Sequence, residues 1–427
     1  MKRPAQDLPS PVLSQFGQRL GAESGIVSLM EDLGEALNVN RDMLFLGGGN
    51  PASVPAFEQR VGRHLAALVD DPLGLRKLLG VYQSPRGSEE FLELLAEFLR
   101  EQMGWPVGVE NLALSNGSQS AFFLIMNMLA GTRGDGSTGQ ICLPLMPEYL
   151  GYRDQGISAN MFRGVRPEIE LLGVDSFKYK VDFQRLEITP DTAALCVSRP
   201  TNPTGNVITD DEMAHLNALS LEHGIPLIVD CAYGAPFPNI VYEPVEHRWR
   251  SNNIFVLSLS KLGLPGVRTG IVVAEPAFIE RFIRANTILC LANGNLGPAL
   301  GASLLRHEDL RALCATELLP FYEAQRLTMF QLLRTRLHGL NYRVHKSEGA
   351  FFVWLWLPDL SISSTALYQR LKARSVLVMA GEHFFFGLDE HWAHTEQCIR
   401  LNFCQPEAVI DQALTILADE LRALSSR

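Results

Sequence analysis

Apolar residues recur along the chain in two alternating rhythms, and their alternation predicts the architecture. From Ser88 to Arg100, the residues Phe91, Leu94, Leu95 and Phe98 fall three and four apart, acids fill the first turn, and Ser88 stands where a cap belongs. That is the stripe of an amphipathic helix. Ser118 to Leu129 predicts a second helix, apolar around more of its circumference and so largely buried. Thr209 to His223 predicts a third, capped by Thr209 and stopped by Gly224. Around these helices lie short unbroken apolar runs: Ile141 to Leu145, Ala194 to Val197, Leu227 to Val229, Ile254 to Leu257 and Ile271 to Ala274. Strands buried on both faces read this way, so the expected fold is α/β, a mostly parallel sheet flanked by helices.

After about residue 305 the rhythm changes. Long helices near 308–337 and 364–374 mix with strands at 350–357 and 398–403, which predicts a smaller α+β domain. At the other end, residues 1–25 are weakly patterned and read as an arm. Ile26 to Leu37 predicts a short helix, and Leu44-Phe-Leu runs as a strand into the loop Gly47-Gly-Gly-Asn-Pro51. A chain of 427 residues is too long for one ordinary core. The expected division is 1–50 as arm and part of the small domain, 51–305 as the large domain and 306–427 as the small one.

Composition narrows the function classes. A formal net charge of −10 offers no footprint for nucleic acid and does not suit an anionic membrane surface. No apolar stretch is long enough to cross a bilayer, and Lys2 and Arg3 are not followed by the apolar core of a signal peptide. The seven cysteines are odd in number, scattered and without a Cys-x-x-Cys, which reads as reduced thiols in the cytoplasm.

The candidate chemistry sits where strands end and helices begin, the edge at which open α/β sheets bind ligands. Asp230 closes one apolar run, and Tyr233 follows three residues on. Lys261 follows another within Ser258-Leu-Ser-Lys-Leu-Gly-Leu-Pro-Gly-Val-Arg-Thr-Gly270. A lysine just past a buried strand can lose its hydration and become nucleophilic. Ser258, Ser260 and Arg268 beside it can hold a phosphate, as can the helix start at Asn116-Gly-Ser-Gln119. Asn202 lies in the rigid turn Arg199-Pro-Thr-Asn-Pro-Thr-Gly205. Singly, each is explained as well by a cap, a turn or a surface charge. Together they supply what pyridoxal phosphate asks of a protein: an amine for the aldehyde, an anion for the ring nitrogen, a donor for the phenolic oxygen and a phosphate cup.

With Gly49-Asn-Pro51, Tyr82, Arg86-Gly87, Pro147-Glu-Tyr149 and Arg400 added in the same order, the chain resembles the fold-type I pyridoxal-phosphate-dependent aminotransferases over nearly its whole length. The wording of the Leu46, Ser115, Val197 and Ser258 runs is most similar to members that exchange an amino group between valine and pyruvate. The resemblance implies that Lys261 carries the cofactor as a Schiff base and moves the substrate proton. Asp230 would then face the ring nitrogen, Tyr149 stack on the ring, and Asn202 and Tyr233 hold the phenolic oxygen. Gly117, Ser118 and Gln119, with Ser258, Ser260 and Arg268, would surround the phosphate. Arg400, Asn202 and Gly49 would take the substrate carboxylate. Tyr82 would reach the phosphate of a neighbouring subunit, making the enzyme a homodimer. The interval from Lys261 to Arg268 is one residue shorter than in many relatives.

No Lys or Arg occurs from Ala285 to Leu305, the loop that supplies a second cation in relatives with acidic substrates. A small aliphatic side chain is the expectation, with Phe351, Phe352 and Trp354 as core that could also wall a pocket. An alanine-type transaminase or a carbon–sulfur β-lyase would use the same motifs. A DNA-bound regulator of related fold is disfavoured by the acidic charge and the short stretch ahead of the core. His391, His394 and Cys398 have suggestive spacing for a metal, but their Asp- and Trp-containing surroundings suggest a loop, and no metal is expected.

Overall fold

The computed structural model describes residues 12–38 and 42–425. The buried apolar runs assemble into an eight-stranded sheet. Asn253–Ser258, Leu227–Asp230, Thr192–Ser198, Thr138–Leu143 and Phe162–Gly164 pair in parallel, as their two-sided burial requires. Gly270–Val273 departs from this pattern. It runs antiparallel between Asn253–Ser258 and Leu112–Ser115. The residues ahead of Gly270 therefore arrive at the same edge where Ser115, Ser198, Asp230 and Ser258 end their strands.

Helices cover the sheet as the pattern predicts. Ser118–Leu129 packs across four of its strands, and Asp210–Glu222 packs against Thr192–Ser198 and Leu227–Asp230. The latter begins with a reciprocal cap between Thr209 and Glu212 and ends before Gly224 at φ 63°.

The second sheet has six strands, with Met379–Ala380, Cys398–Asn402, Phe352–Trp356 and Arg343–His345 from the C-terminal region. Its remaining two, Glu168–Leu171 and Ser176–Lys180, form a hairpin from within the span expected as the large domain. Leu44–Phe45 pairs separately with Val376–Leu377. One apolar cluster spans the large sheet and reaches Phe177, Tyr179, Trp354 and Cys398 of the second sheet, and another packs Phe352, Val353, Leu355, Ile399 and Leu401 of the second sheet against the C-terminal helices.

Two further features differ from expectation. Within the arm, residues 1–11 lie outside the described residues, but Gln15–Leu20 is helical because Ser14 caps it, its hydroxyl accepting from the Gly17 N–H. The long helix near 308–337 is three pieces, Leu310–Leu313, a π-turn at Cys314–Leu318, and Leu319–Arg336. Pro320 brings no N–H to the helical ladder, and the wider turn immediately before it accommodates that loss.

One buried ion pair ties the recruited hairpin to the large domain. The Lys178 ammonium bonds Glu348 and also donates to the Val207 carbonyl at 3.0 Å, while Glu348 accepts the Val207 N–H at 3.1 Å. Both side chains are buried, and Val207 ends the turn that carries Asn202. Lys346 also pairs with Glu348 but is itself 43% exposed. We expect Lys178→Ala to cost on the order of 3 kcal/mol, because it strips a buried carboxylate of its buried partner. Lys346→Ala should cost less than about 1 kcal/mol. Denaturant unfolding of the two variants measures the contrast.

Candidate active site

The edge of the large sheet forms an anion cup. Helix Ser118–Leu129 starts at Gly117, which has no side chain to cap it, so its first N–H groups remain available. Gly117 has φ 92°, and a Cβ there would stand 2.2 Å from Nη2 of Arg268. Glycine is what lets the guanidinium reach the helix start. Arg268 is delivered by the antiparallel strand that begins at Gly270, where a Cβ would lie 2.6 Å from the Ser118 nitrogen. Ser258 is fully buried and accepts the Ser260 N–H at 3.1 Å. The Gln119 amide turns instead to the Gly151 carbonyl, 3.1 Å away.

Next to the cup stand a carboxylate and an amine. Asp230 is buried, and burial raises its pKa above the usual carboxylate range. Tyr152 donates its hydroxyl to Asp230 at 2.6 Å, and the Ala232 N–H donates at 2.8 Å; both favour the ionised form. Lys261 donates to the Gly49 carbonyl at 2.6 Å, with Nζ 5.3 Å from the centre of the Tyr233 ring. Desolvation lowers its pKa to about 8, so about a tenth of the amine is neutral at pH 7. The Tyr149 ring folds over Gly151, where a Cβ would come within 2.3 Å of it, and meets Tyr152 edge-on at 5.3 Å. Burial pushes the Tyr149 phenol up to about 12.

Arg400 completes the site. It is 1% exposed, and its guanidinium lies 4.3 Å from the centre of the Phe352 ring and 5.1 Å from that of Phe384. Nη1 donates to Asn202 at 2.6 Å and Nη2 to the Gly47 carbonyl. Nε is buried with no partner. Burial lowers its pKa to about 10, which leaves it charged at neutral pH. A buried cation with a free N–H calls for an anionic acceptor, and a carboxylate matches the guanidinium face. Lys261 and Arg400 are both tied to carbonyls of one loop, Gly47 to Gly49.

The structure thus brings together Lys261, Asp230, Tyr149, Tyr233, Asn202, Arg400, Gly49, Arg268, Gly117, Ser118, Ser258 and Ser260. Tyr82 is 82% exposed, largely uncovered by its own chain. The three residues weighed as metal ligands do not converge: His391 faces Glu396 at the surface, while His394 is buried against Tyr179 and Cys398. Sequence reasoning passed over Tyr152 and Glu148. The signal for Tyr152 was present as a second aromatic three residues after Tyr149, on the far side of Gly151.

An uncapped helix start with an arginine against it, a buried carboxyl group at a strand end, and a desolvated lysine are the set of groups that fits pyridoxal phosphate. The family model for aminotransferase class I and II matches residues 61–417. The chain is a class I and II aminotransferase. It shares the fold-type I architecture and depends on pyridoxal 5′-phosphate. It is 45% identical to the valine–pyruvate aminotransferase of Escherichia coli (strain K12), over 96% of this chain and 97% of that protein. The structure of a valine–pyruvate aminotransferase from Salmonella typhimurium LT2 matches with TM-score 0.86 and 43% identity, over 94% of this chain and 100% of that one. A protein of Psychrobacter arcticum 273-4, assigned provisionally as an amino-acid aminotransferase, matches with TM-score 0.94 and 38% identity, over 98% and 100% of the two chains.

For this aminotransferase, the lowered pKa of Lys261 sets a pH dependence. The neutral amine is the nucleophile, so cofactor uptake by the apoenzyme should accelerate as pH rises through about 8 and level off above it. Stopped-flow absorbance across pH 6.5–9.5 reads this as an order-of-magnitude estimate of the midpoint. Lys261→Arg, always charged, should show no such uptake.

Proposed function

We propose that this aminotransferase transfers the amino group of L-valine to pyruvate, giving 3-methyl-2-oxobutanoate and L-alanine. The observation that carries the reading is the near-complete match to a valine–pyruvate aminotransferase at 45% identity. It is supported by an amino-acid site built from Arg400, with its free Nε, and the desolvated Lys261.

When bound, pyridoxal phosphate supplies an aldehyde carbon for the amino group and a ring that takes up the charge left when the α-proton departs. The remaining roles belong to the chain. Gly117, Ser118, Ser258, Ser260 and Arg268 hold the phosphate, and Gln119 adds only its backbone N–H at the helix start. Asp230 pairs with the ring nitrogen, Tyr152 keeps Asp230 charged, Tyr149 covers one ring face, and Asn202 and Tyr233 hold the phenolic oxygen. Arg400 grips the α-carboxylate of the amino acid, with Asn202 and the Gly49 backbone beside it. Lys261 Nζ takes the proton from the α-carbon of valine and, in the return half, delivers one to the α-carbon of the new alanine.

The working unit we infer is a homodimer in which Tyr82 reaches the partner's phosphate. Leu79, Val81, Tyr82, Ile288 and Leu291 are all exposed apolar side chains. The Asn295 amide bonds the carbonyls of Lys77 and Val81, which draws the two segments bearing them together. A joint apolar patch of this kind marks an association surface. The cytoplasm is the compartment we infer, on the strength of seven free thiols. Among the described residues no helix is long and apolar enough to cross a membrane.

The purified enzyme should be yellow, and borohydride should bleach it and fix the cofactor to Lys261. Lys261→Ala should lose turnover by at least about 10⁴-fold. In half-reactions, valine, alanine and isoleucine should convert the cofactor to its amine form, and aspartate should do so slowly. Fast reaction with aspartate alone would sink the aliphatic assignment. Sedimentation should give a dimer, and Tyr82→Ala should weaken cofactor binding without breaking that dimer.

A further inference from the structure

Glu148 is 0% exposed and sits next to Tyr149, yet nothing in the roles above uses it. Its carboxylate has no cation among its bonded partners. Oε1 accepts the Ser198 N–H at 2.8 Å; Oε2 accepts the Ser198 hydroxyl at 2.6 Å and the Tyr149 N–H at 3.2 Å. Its own N–H donates to the Phe384 carbonyl at 3.1 Å. Burial pushes its pKa up to about 8, with the charge of nearby Asp230 adding to the rise. A carboxyl group kept this far from water is expensive whether charged or neutral, so its bonds need a reason.

The three segments it joins each carry one part of the site. Tyr149 is the ring that folds toward Tyr152 and Asp230. Ser198 ends its strand in register with Asp230 and leads directly to Arg199 and the Asn202 turn. The Thr201 hydroxyl turns that chain back onto the Ser198 carbonyl at 2.9 Å. Phe384 faces the Arg400 guanidinium, which Asn202 bonds at its Nη1. The Ser198 and Tyr149 N–H groups can only donate, and they meet opposite oxygens of Glu148, so a group with an acceptor at both positions is needed to satisfy them. A carboxamide would aim an N–H at donors already in place.

We propose that Glu148 is a positioning residue that sets the cofactor-ring face and the substrate-carboxylate clamp together, by holding Tyr149 and the Ser198 strand end in one register. Arg400 receives its geometry from two sides that both lead to Glu148, through Ser198 and Asn202 and through Phe384. The cofactor ring and the carboxylate clamp therefore move as one unit. This inference rests on the proposed roles of Tyr149, Asn202 and Arg400.

The test compares wild type, Glu148→Gln and Ser198→Ala. Equilibrium binding of pyridoxal phosphate to each apoenzyme, followed by absorbance, is read beside KM and kcat for valine and a thermal melt. We expect Glu148→Gln to weaken cofactor binding about tenfold and to raise KM for valine about tenfold, with a smaller change in kcat. Ser198→Ala, which removes one of the three bonds, should shift both quantities in the same direction by less. A Glu148→Gln enzyme with wild-type cofactor affinity and wild-type KM overturns the proposal, even if its melt is lower. A change in one quantity without the other overturns it too, because the coupling is the claim. If Glu148→Gln does not fold, the paired shifts in Ser198→Ala decide. Failure of the wild type to bind the cofactor or to turn over valine would instead strike the functional reading on which this rests.

Discussion

A full positive charge stands buried in this protein with one of its donors unspent. Arg400 is packed against Phe352 and Phe384, holds Asn202 and Gly47, and leaves Nε without an acceptor. Burying a guanidinium costs several kcal/mol unless its hydrogen bonds are met. The surrounding fold supplies an acceptor to Nη1 and to Nη2 and none to Nε. Strand Cys398–Asn402 sets Arg400 on the inner face of the small sheet, opposite Trp354. The Gly47 to Gly49 loop lies close because the strand before it pairs with Val376–Leu377. The Asn202 turn is held in reach by the buried bond between Lys178 and Glu348. A carboxylate can take the Nε–H together with a second N–H of the same guanidinium.

The same desolvation acts on the neighbouring charges with opposite results. It lowers the pKa of Lys261 to about 8 and of Arg400 to about 10, and it raises that of Asp230. Lysine crosses into the range where a neutral amine is available, whereas arginine, starting higher, does not. Asp230 is kept toward its ionised form by Tyr152 and the Ala232 N–H. One environment thus yields a nucleophile and a fixed cation beside a carboxyl group whose two donors oppose its desolvation, and the difference comes from each group's intrinsic pKa and its donors.

Much of this was legible in the chain. The parallel strands announced themselves as unbroken apolar runs, and the motifs at their ends carried Lys261, Asp230, Asn202 and Arg268. The hairpin at 168–180 was not legible. Glu168-Ile-Glu-Leu and Ser176-Phe-Lys-Tyr-Lys alternate with charged residues, and their membership in the distant sheet depends on a parallel pairing with Arg343–His345. Nor could the sequence expose the antiparallel course of Gly270–Val273, since an apolar run has no direction. Tyr152 and Glu148 act through contacts 78 and 50 residues away in the chain, which no local pattern encodes.

Selectivity among amino acids is the part of the function that this chain's own atoms specify least. Arg400 reads a carboxylate that every α-amino acid has. An apolar pocket separates neighbours differing by one methylene by only about 1–3 kcal/mol. Discrimination against acidic substrates has a firmer basis. The stretch from Ala285 to Leu305 contains no Lys or Arg, and Ile288, Leu289 and Leu291 on it are exposed. Asn295 binds this stretch to the segment that carries Tyr82. In the proposed dimer, whatever this stretch brings to the facing site is apolar or amide in character. A side-chain carboxylate entering there would lose water without gaining a cation, which is a penalty rather than a missing reward. Rejection of acidic side chains is therefore the stronger form of selectivity available to this enzyme, and the ranking among aliphatic ones is the weaker.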